Sequence, residues 1–137
     1  MLLPSEGKIC ALDLGTAYTG VSISDKDQKV AFLREEIKHK SNMDLLIKLK
    51  KILEEENCIG VLLGLPLRLD GKHSPQTKKA IRQIELIRDA CGLPICTIDE
   101  RFSSQEAFVP RMKRVDSRSA QILLENYIAS LSNPSGF

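Results

Sequence analysis

Cys58 to Gly64 (CIGVLLG) is apolar along its whole length, so both faces of a strand built from it must be covered. The segment reads as a central strand with helices packed on each side, and it ends in a Gly64-Leu65-Pro66 turn. This requirement makes the chain a layered α/β protein.

The flanking segments supply the layers. Lys8 to Gly15 (KICALDLG) is a short apolar run closed by glycine, Gly20 to Ser24 (GVSIS) follows after a turn, and Val30 to Ile37 comes after the polar turn Asp25 to Gln28. Together they predict a three-strand meander. Ser41 and Asp44 form a capping box, after which Leu45, Leu46, Leu49, Ile52 and Leu53 recur at helical spacing. Ser74 and Pro75 fit the N-cap and first position of a second helix, whose stripe Thr77, Ala80, Ile81, Ile84, Ile87 and Cys91 stops at Gly92. Ile95 to Asp99 is the last strand, and Ser103 with Glu106 caps a short helix that Pro110 interrupts. The final helix starts near Asp116 or Ser117 and carries Ala120, Leu123, Leu124, Tyr127, Ile128 and Leu131 on one face. The sum is one α/β domain with a mixed sheet over residues 1–137, with 133–137 a loose C-terminal tail.

At 137 residues and 42% hydrophobic content there is material for one core. Apolar runs fall far short of the roughly 20 residues that cross a bilayer, and Met1 to Gly7 lacks the features of a secretory signal. Cys10, Cys58, Cys91 and Cys96 form no CxxC pair and sit mostly in apolar segments. They read as reduced packing residues of a cytoplasmic protein and make a zinc cluster improbable. The net charge of +2 is too small for a protein that holds nucleic acid by bulk charge alone. Its distribution is uneven: residues 1–60 carry nine basic and ten acidic side chains, residues 61–137 eleven and eight. The excess gathers at Lys72, Lys78, Lys79 and Arg82, then at Arg101, Arg111, Lys113, Arg114 and Arg118, positions that read either as solvated surface or as contacts for a phosphodiester backbone.

Asp13 stands late in an apolar strand, where a buried carboxylate is costly without a partner. Asp99 and Glu100 repeat the situation at the end of the last strand, beside Arg101, and Asp116 precedes a helical run. Each has an ordinary explanation: a turn cap for Asp13, an ion pair for Asp99 and Glu100, an N-cap for Asp116. Taken together, strand ends and helix starts can converge at one edge of an α/β sheet. Clustered carboxylates repel one another unless cations lie between them, and oxygen-only ligands select Mg2+ or Mn2+. A pair of such ions about 4 Å apart orients a water and stabilises an in-line phosphoryl displacement. Only His39 and His73 are present, so histidine acid–base chemistry is poorly supported, and two Tyr with four Phe leave little for base stacking.

These motifs resemble a known family. Asp13-Leu-Gly-Thr16 with Gly20-Val-Ser, Val61-Leu-Leu-Gly-Leu-Pro-Leu67 with Asp70-Gly71, Pro75-Gln-Thr77, Asp99-Glu-Arg-Phe-Ser-Ser104-Gln-Glu-Ala107 and Val115-Asp-Ser-Arg-Ser-Ala120 are similar to the YqgF family, the RuvX-like, Holliday-junction-resolvase-like pre-16S rRNA nucleases. The resemblance runs from about Lys8 to Ser130. It implies an RNase H-like fold with a mixed five-stranded sheet of order 3-2-1-4-5 flanked by helices, a cytoplasmic location, and metal-dependent nuclease activity in 5′ maturation of pre-16S rRNA. The family's acidic residues carry over onto Asp13, Glu100 and Asp116 as catalytic and metal-holding groups, with Thr16, Asp99, Arg101 and Ser103 in support. In that strand order Asp13 and Glu100 stand two strand spacings, about 9.6 Å, apart at the backbone. Ala17 and Tyr18 replace basic residues common after the Gly-Thr pair, DERFSS stands for the usual DERLTT, and the segment between Glu106 and Asp116 is short.

The partners implied are structured RNA (pre-16S rRNA) or branched DNA, with no membrane, and a monomer or weak homodimer. The cofactor is Mg2+ or Mn2+, two ions with substrate bound. Holliday junction resolution and a non-catalytic nucleic-acid-binding module are the alternatives within this scaffold. An actin-like ATP-binding protein also uses an Asp-x-Gly-Thr strand end, but that machinery closes two such domains around its nucleotide.

Overall fold

A computed structural model describes residues 3–65, 75–99 and 117–132. The predicted meander is present as β1 (Lys8–Asp13), β2 (Tyr18–Ser24) and β3 (Ala31–Lys38), antiparallel in sequence. Asp25 closes the β2–β3 connection, its Oδ1 accepting from the N–H groups of Lys29 and Val30 at 2.7 and 2.8 Å. Then come α1 (Asn42–Glu56), β4 (Cys58–Leu65), α2 (Pro75–Cys91), β5 (Ile95–Asp99) and α3 (Ser117–Ser132). The sheet order is β3-β2-β1-β4-β5, with β1, β4 and β5 parallel, as the family resemblance implied.

Local chemistry sets the helix ends. Ser41 Oγ accepts from the Asp44 N–H at 3.1 Å, the N-cap half of the expected capping box, while the Asp44 carboxylate reaches one residue farther back and accepts from the Lys40 N–H at 2.9 Å. Asn57 ends α1 in the left-handed region at φ 58, and Gly92 does the same after α2 at φ 69. Ser74, the N-cap expected for α2, and the Ser103–Glu106 helix lie outside the described residues, as does the 133–137 tail.

Strand alternation divides the core into two layers. Cys10 and Leu12 of β1 join Val61 and Leu63 of β4, Leu45, Leu49 and Leu53 of α1, and Ile84 and Ile87 of α2. On the opposite face Ile9, Ala11 and Leu62 pack against Leu123 and Leu124 of α3. β4 is interior and covered on both sides, as its composition required, but the middle strand is β1. Leu45, Leu46, Leu49 and Leu53 of the α1 stripe, Ile84 and Ile87 of the α2 stripe and Ala120, Leu123 and Leu124 of the α3 stripe are buried, whereas Leu131 is exposed: contacts of α3 with the core end at Tyr127 and Ile128. All four cysteines are free thiols, two buried and two half-buried. Among the described residues no helix is long and apolar enough to cross a membrane.

Among the described residues two glycines adopt positive φ, with different surroundings. Gly7, at φ 107, precedes β1, and a Cβ there would run into Ile59 Cγ1, whereas a Cβ on Gly92 would meet nothing within 4 Å. Gly7→Ala is expected to destabilise the protein by about 2–4 kcal/mol and Gly92→Ala by about 1 kcal/mol. Urea unfolding of the two variants measures the difference, and equal losses would contradict the packing described for the β1 entrance.

Candidate active site

Asp13 is the last residue of β1 and only 3% exposed. It follows Ile9 and Ala11 on the face covered by α3, so the strand that fills the middle of the core ends in a buried carboxylate. Directly across in β2 is Gly20, which has no side chain to crowd that carboxylate. On the other side β4 separates β1 from β5, whose final residue Asp99 pairs with Leu65. Because β4 and β5 run parallel to β1, their ends and the start of α2 lie at the edge where Asp13 emerges.

The segment after Asp13 is held from three elements. The Gln83 carboxamide of α2 donates from Nε2 to Gly15 O at 3.0 Å. The His39 N–H, just past β3, donates to Ala17 O at 2.9 Å, and the His39 ring shares a 2.9 Å hydrogen bond between Nε2 and Thr19 Oγ1. Ser117, the first residue of α3, accepts from the Val21 N–H at 2.9 Å, where the β2–β3 register shifts between Thr19 and Val21. All three side chains are buried, so each hydrogen bond offsets a desolvation cost. Thr16, between the two pinned carbonyls, is exposed.

Of the residues expected at the site, Asp13 ends β1, Thr16 lies in the connection that follows it, and Asp99 closes β5. Lys78, Lys79 and Arg82 are exposed along the first two turns of α2, and Arg118 is exposed in the first turn of α3. Glu100, Arg101, Ser103, Asp116, Lys72, Arg111, Lys113 and Arg114 lie outside the described residues. Among the described residues no three His, Cys, Asp or Glu side chains form a metal-holding group. A cavity of about 410 Å³, lined in part by Leu53, Cys58, Cys91 and Leu93, lies at the far end of the sheet, where β4 begins and α2 ends. Gln83, Ser117 and His39 are buried hydrogen-bonding positions around this segment whose contacts the sequence patterns did not reveal. Gln83 left one trace: a carboxamide four residues before Ile87 and three after Ala80, on the apolar side of its helix.

The family model described as "RuvX: Holliday junction resolvase" matches residues 7–130. The chain belongs to the RuvX family. A RuvX relative from Thermoanaerobacter pseudethanolicus, named "Putative pre-16S rRNA nuclease", is 32% identical over 137 residues, 92% of this chain and 99% of the relative. Another with the same name, from Maridesulfovibrio salexigens, is 33% identical over 132 residues, 89% of this chain and 98% of the relative. Among solved structures, Thermus thermophilus RuvC in complex with a Holliday junction substrate superposes with a TM-score of 0.61 at 12% identity, covering 93% of this chain and 97% of that one. This last likeness establishes the resolvase-type, RNase H-like fold of this RuvX chain.

Burial holds the His39 pKa below its ordinary 6.5; the nearby Asp44 carboxylate draws it up and the Lys48 ammonium pushes it down. The ring is therefore neutral at the Thr19 hydrogen bond near pH 7. An unfolded chain takes up a proton at this ring that the folded chain resists. The stabilising contribution is thus complete above 6.5 and is lost as pH falls through the lower folded-state value. Between about pH 7 and about pH 5 the parent is expected to lose more unfolding free energy than His39→Gln. Denaturant titrations at the two pH values check this, and parallel losses would remove His39 from the acid response.

Proposed function

We propose that this RuvX chain is a divalent-metal-dependent nuclease that hydrolyses phosphodiester bonds in structured RNA, in the 5′ maturation of pre-16S rRNA in the cytoplasm. The observation that carries the reading is Asp13, a buried carboxylate closing the middle strand at an edge bordered by the exposed cations of α2. A carboxylate there repels a phosphodiester unless a cation stands between them. The names of the two relatives support the RNA substrate. The family description favours a second reading, cleavage of branched DNA.

Asp13, Glu100 and Asp116 would hold Mg2+ or Mn2+, hard ions that suit an all-oxygen donor set, with two ions when substrate is bound. Once there, the ions would supply charge neutralisation and activate the attacking water. The protein's own groups bind and orient. Lys78, Lys79 and Arg82 present a row of cations to the nucleic-acid backbone, joined by Arg118 and, in our reading, by Lys72, Arg111, Lys113 and Arg114. Thr16 offers a hydroxyl three residues after Asp13, and Arg101, Asp99 and Ser103 support Glu100. With so few aromatic side chains, recognition rests on backbone shape and charge rather than on stacked bases. The working unit is a monomer or a weak homodimer.

Incubation with precursor small-subunit rRNA and with a four-way DNA junction, each in Mg2+, Mn2+ or EDTA, distinguishes the substrates. Asp13→Asn is expected to reduce metal-dependent cutting by at least about 100-fold with an unchanged circular dichroism spectrum. Cutting by Asp13→Asn and Glu100→Gln at the parental rate would move the active site elsewhere. Replacing Lys78, Lys79 and Arg82 with Gln is expected to weaken binding and to lower the salt slope by about two to three units. Fluorescence anisotropy across a salt series reads that slope.

A further inference from the structure

Gln83 is a long polar side chain in a helix whose neighbouring core positions, Ile84 and Ile87, are fully apolar. It is 7% exposed, and a carboxamide so placed is costly unless its donors are used. Its Nε2 donates to Gly15 O, two residues beyond Asp13 and 68 residues away in sequence. Arg82 precedes it immediately and Lys79 lies one helical turn earlier, both exposed. The same short stretch of α2 therefore faces solvent with cations and faces inward with the group that grips the turn after Asp13. The His39 N–H secures Ala17 O from the other flank, so the turn between them has both shoulders fixed.

We infer that Gln83 is a positioning residue that ties the turn after Asp13 to the basic face of α2, so that carboxylate and phosphate-contacting cations keep one spacing. The inference rests on the proposed nuclease reading, and it adds a residue that neither touches the reacting atoms nor belongs to the acidic set. A metal site tolerates displacements of only about 0.5 Å before its function suffers. A turn held by carbonyl hydrogen bonds from two separate elements meets that demand, and a turn free on the α2 side does not. Removing the grip is thus expected to act on metal affinity and rate, and to spare the binding of nucleic acid, whose cations remain on an intact helix.

Gln83→Met keeps the length and volume of the side chain and deletes its donors. Gln83→Glu keeps the shape and sets a carboxylate against the Gly15 carbonyl. Three measurements on the full chain separate the outcomes. In amide hydrogen exchange, both variants are expected to speed exchange across 14–19 while leaving α1 unchanged. In calorimetric titration with Mn2+ alone, affinity is expected to fall about fivefold. In single-turnover cutting, the rate is expected to drop by about tenfold with anisotropy-measured nucleic-acid binding within about twofold of the parent. Unchanged exchange across 14–19 and unchanged Mn2+ affinity would overturn the role of Gln83, whatever the activity. Failure of the nuclease reading has a different signature, a parent that binds Mn2+ no better than Asp13→Asn and cuts neither substrate. That result would also end the claim that Gln83 positions a metal ligand.

Discussion

Everything at this edge depends on how β1 is buried. From Ile9 to Leu12 the strand has no contact with solvent, because α1 and α2 cover one face and α3 the other. Asp13 comes one residue later, still buried, and exposure begins only with the residues that follow it. A carboxylate deeper in the strand would meet a desolvation cost that no ion could reach to offset, and one farther out would titrate as an ordinary surface acid. The length of the apolar run fixes the position of the charge, and the middle place of β1 lets helices from both layers reach it. Strand order is in this sense a property of the site as much as of the fold.

Helices reach it through polar side chains that interrupt their own apolar surfaces. Gln83 comes from one layer and Ser117 from the other; the first bonds Gly15 O within the β1–β2 connection, and the second accepts from the Val21 N–H of β2. His39 closes the third side through Ala17 and Thr19. Hydrophobic packing alone is non-directional and tolerates small slides of a helix over a sheet. Buried hydrogen bonds do not, since a slide of an ångström leaves a donor or acceptor without water or partner. The arrangement converts two greasy interfaces into a fixed geometry around one turn.

Much of this architecture is legible in the sequence because its causes are local. The fully apolar β4 announces a covered strand, Ser41 and Asp44 announce the start of α1, Gly92 the end of α2, and Ile95 to Asp99 the last strand. Asp13 is legible as well, since a carboxylate in an apolar run conflicts with its surroundings. Gln83 and Ser117 are not, because their partners lie 68 and 96 residues away and no periodicity encodes such a pairing. Serine at a helix start reads as a cap, although the hydroxyl of Ser117 serves a strand of the sheet. β1 as the middle strand is likewise invisible to composition, since β4 is the more continuously apolar of the two; order had to come from the family's motifs.

The chain carries a net +2, too little to hold a polyanion by bulk attraction, and it closes its middle strand with an acid. Under the proposed reading these facts belong together. A polyanion and the Asp13 carboxylate repel across the edge, and a divalent ion between them attracts both. Metal and nucleic acid then each raise the affinity for the other by the same factor, since the linkage is reciprocal. The cations of α2 add a metal-independent share, held in register with the acid through Gln83. A nearly neutral protein of this kind binds nucleic acid loosely without metal and commits to it when the ions arrive, which couples binding to the competence to cut.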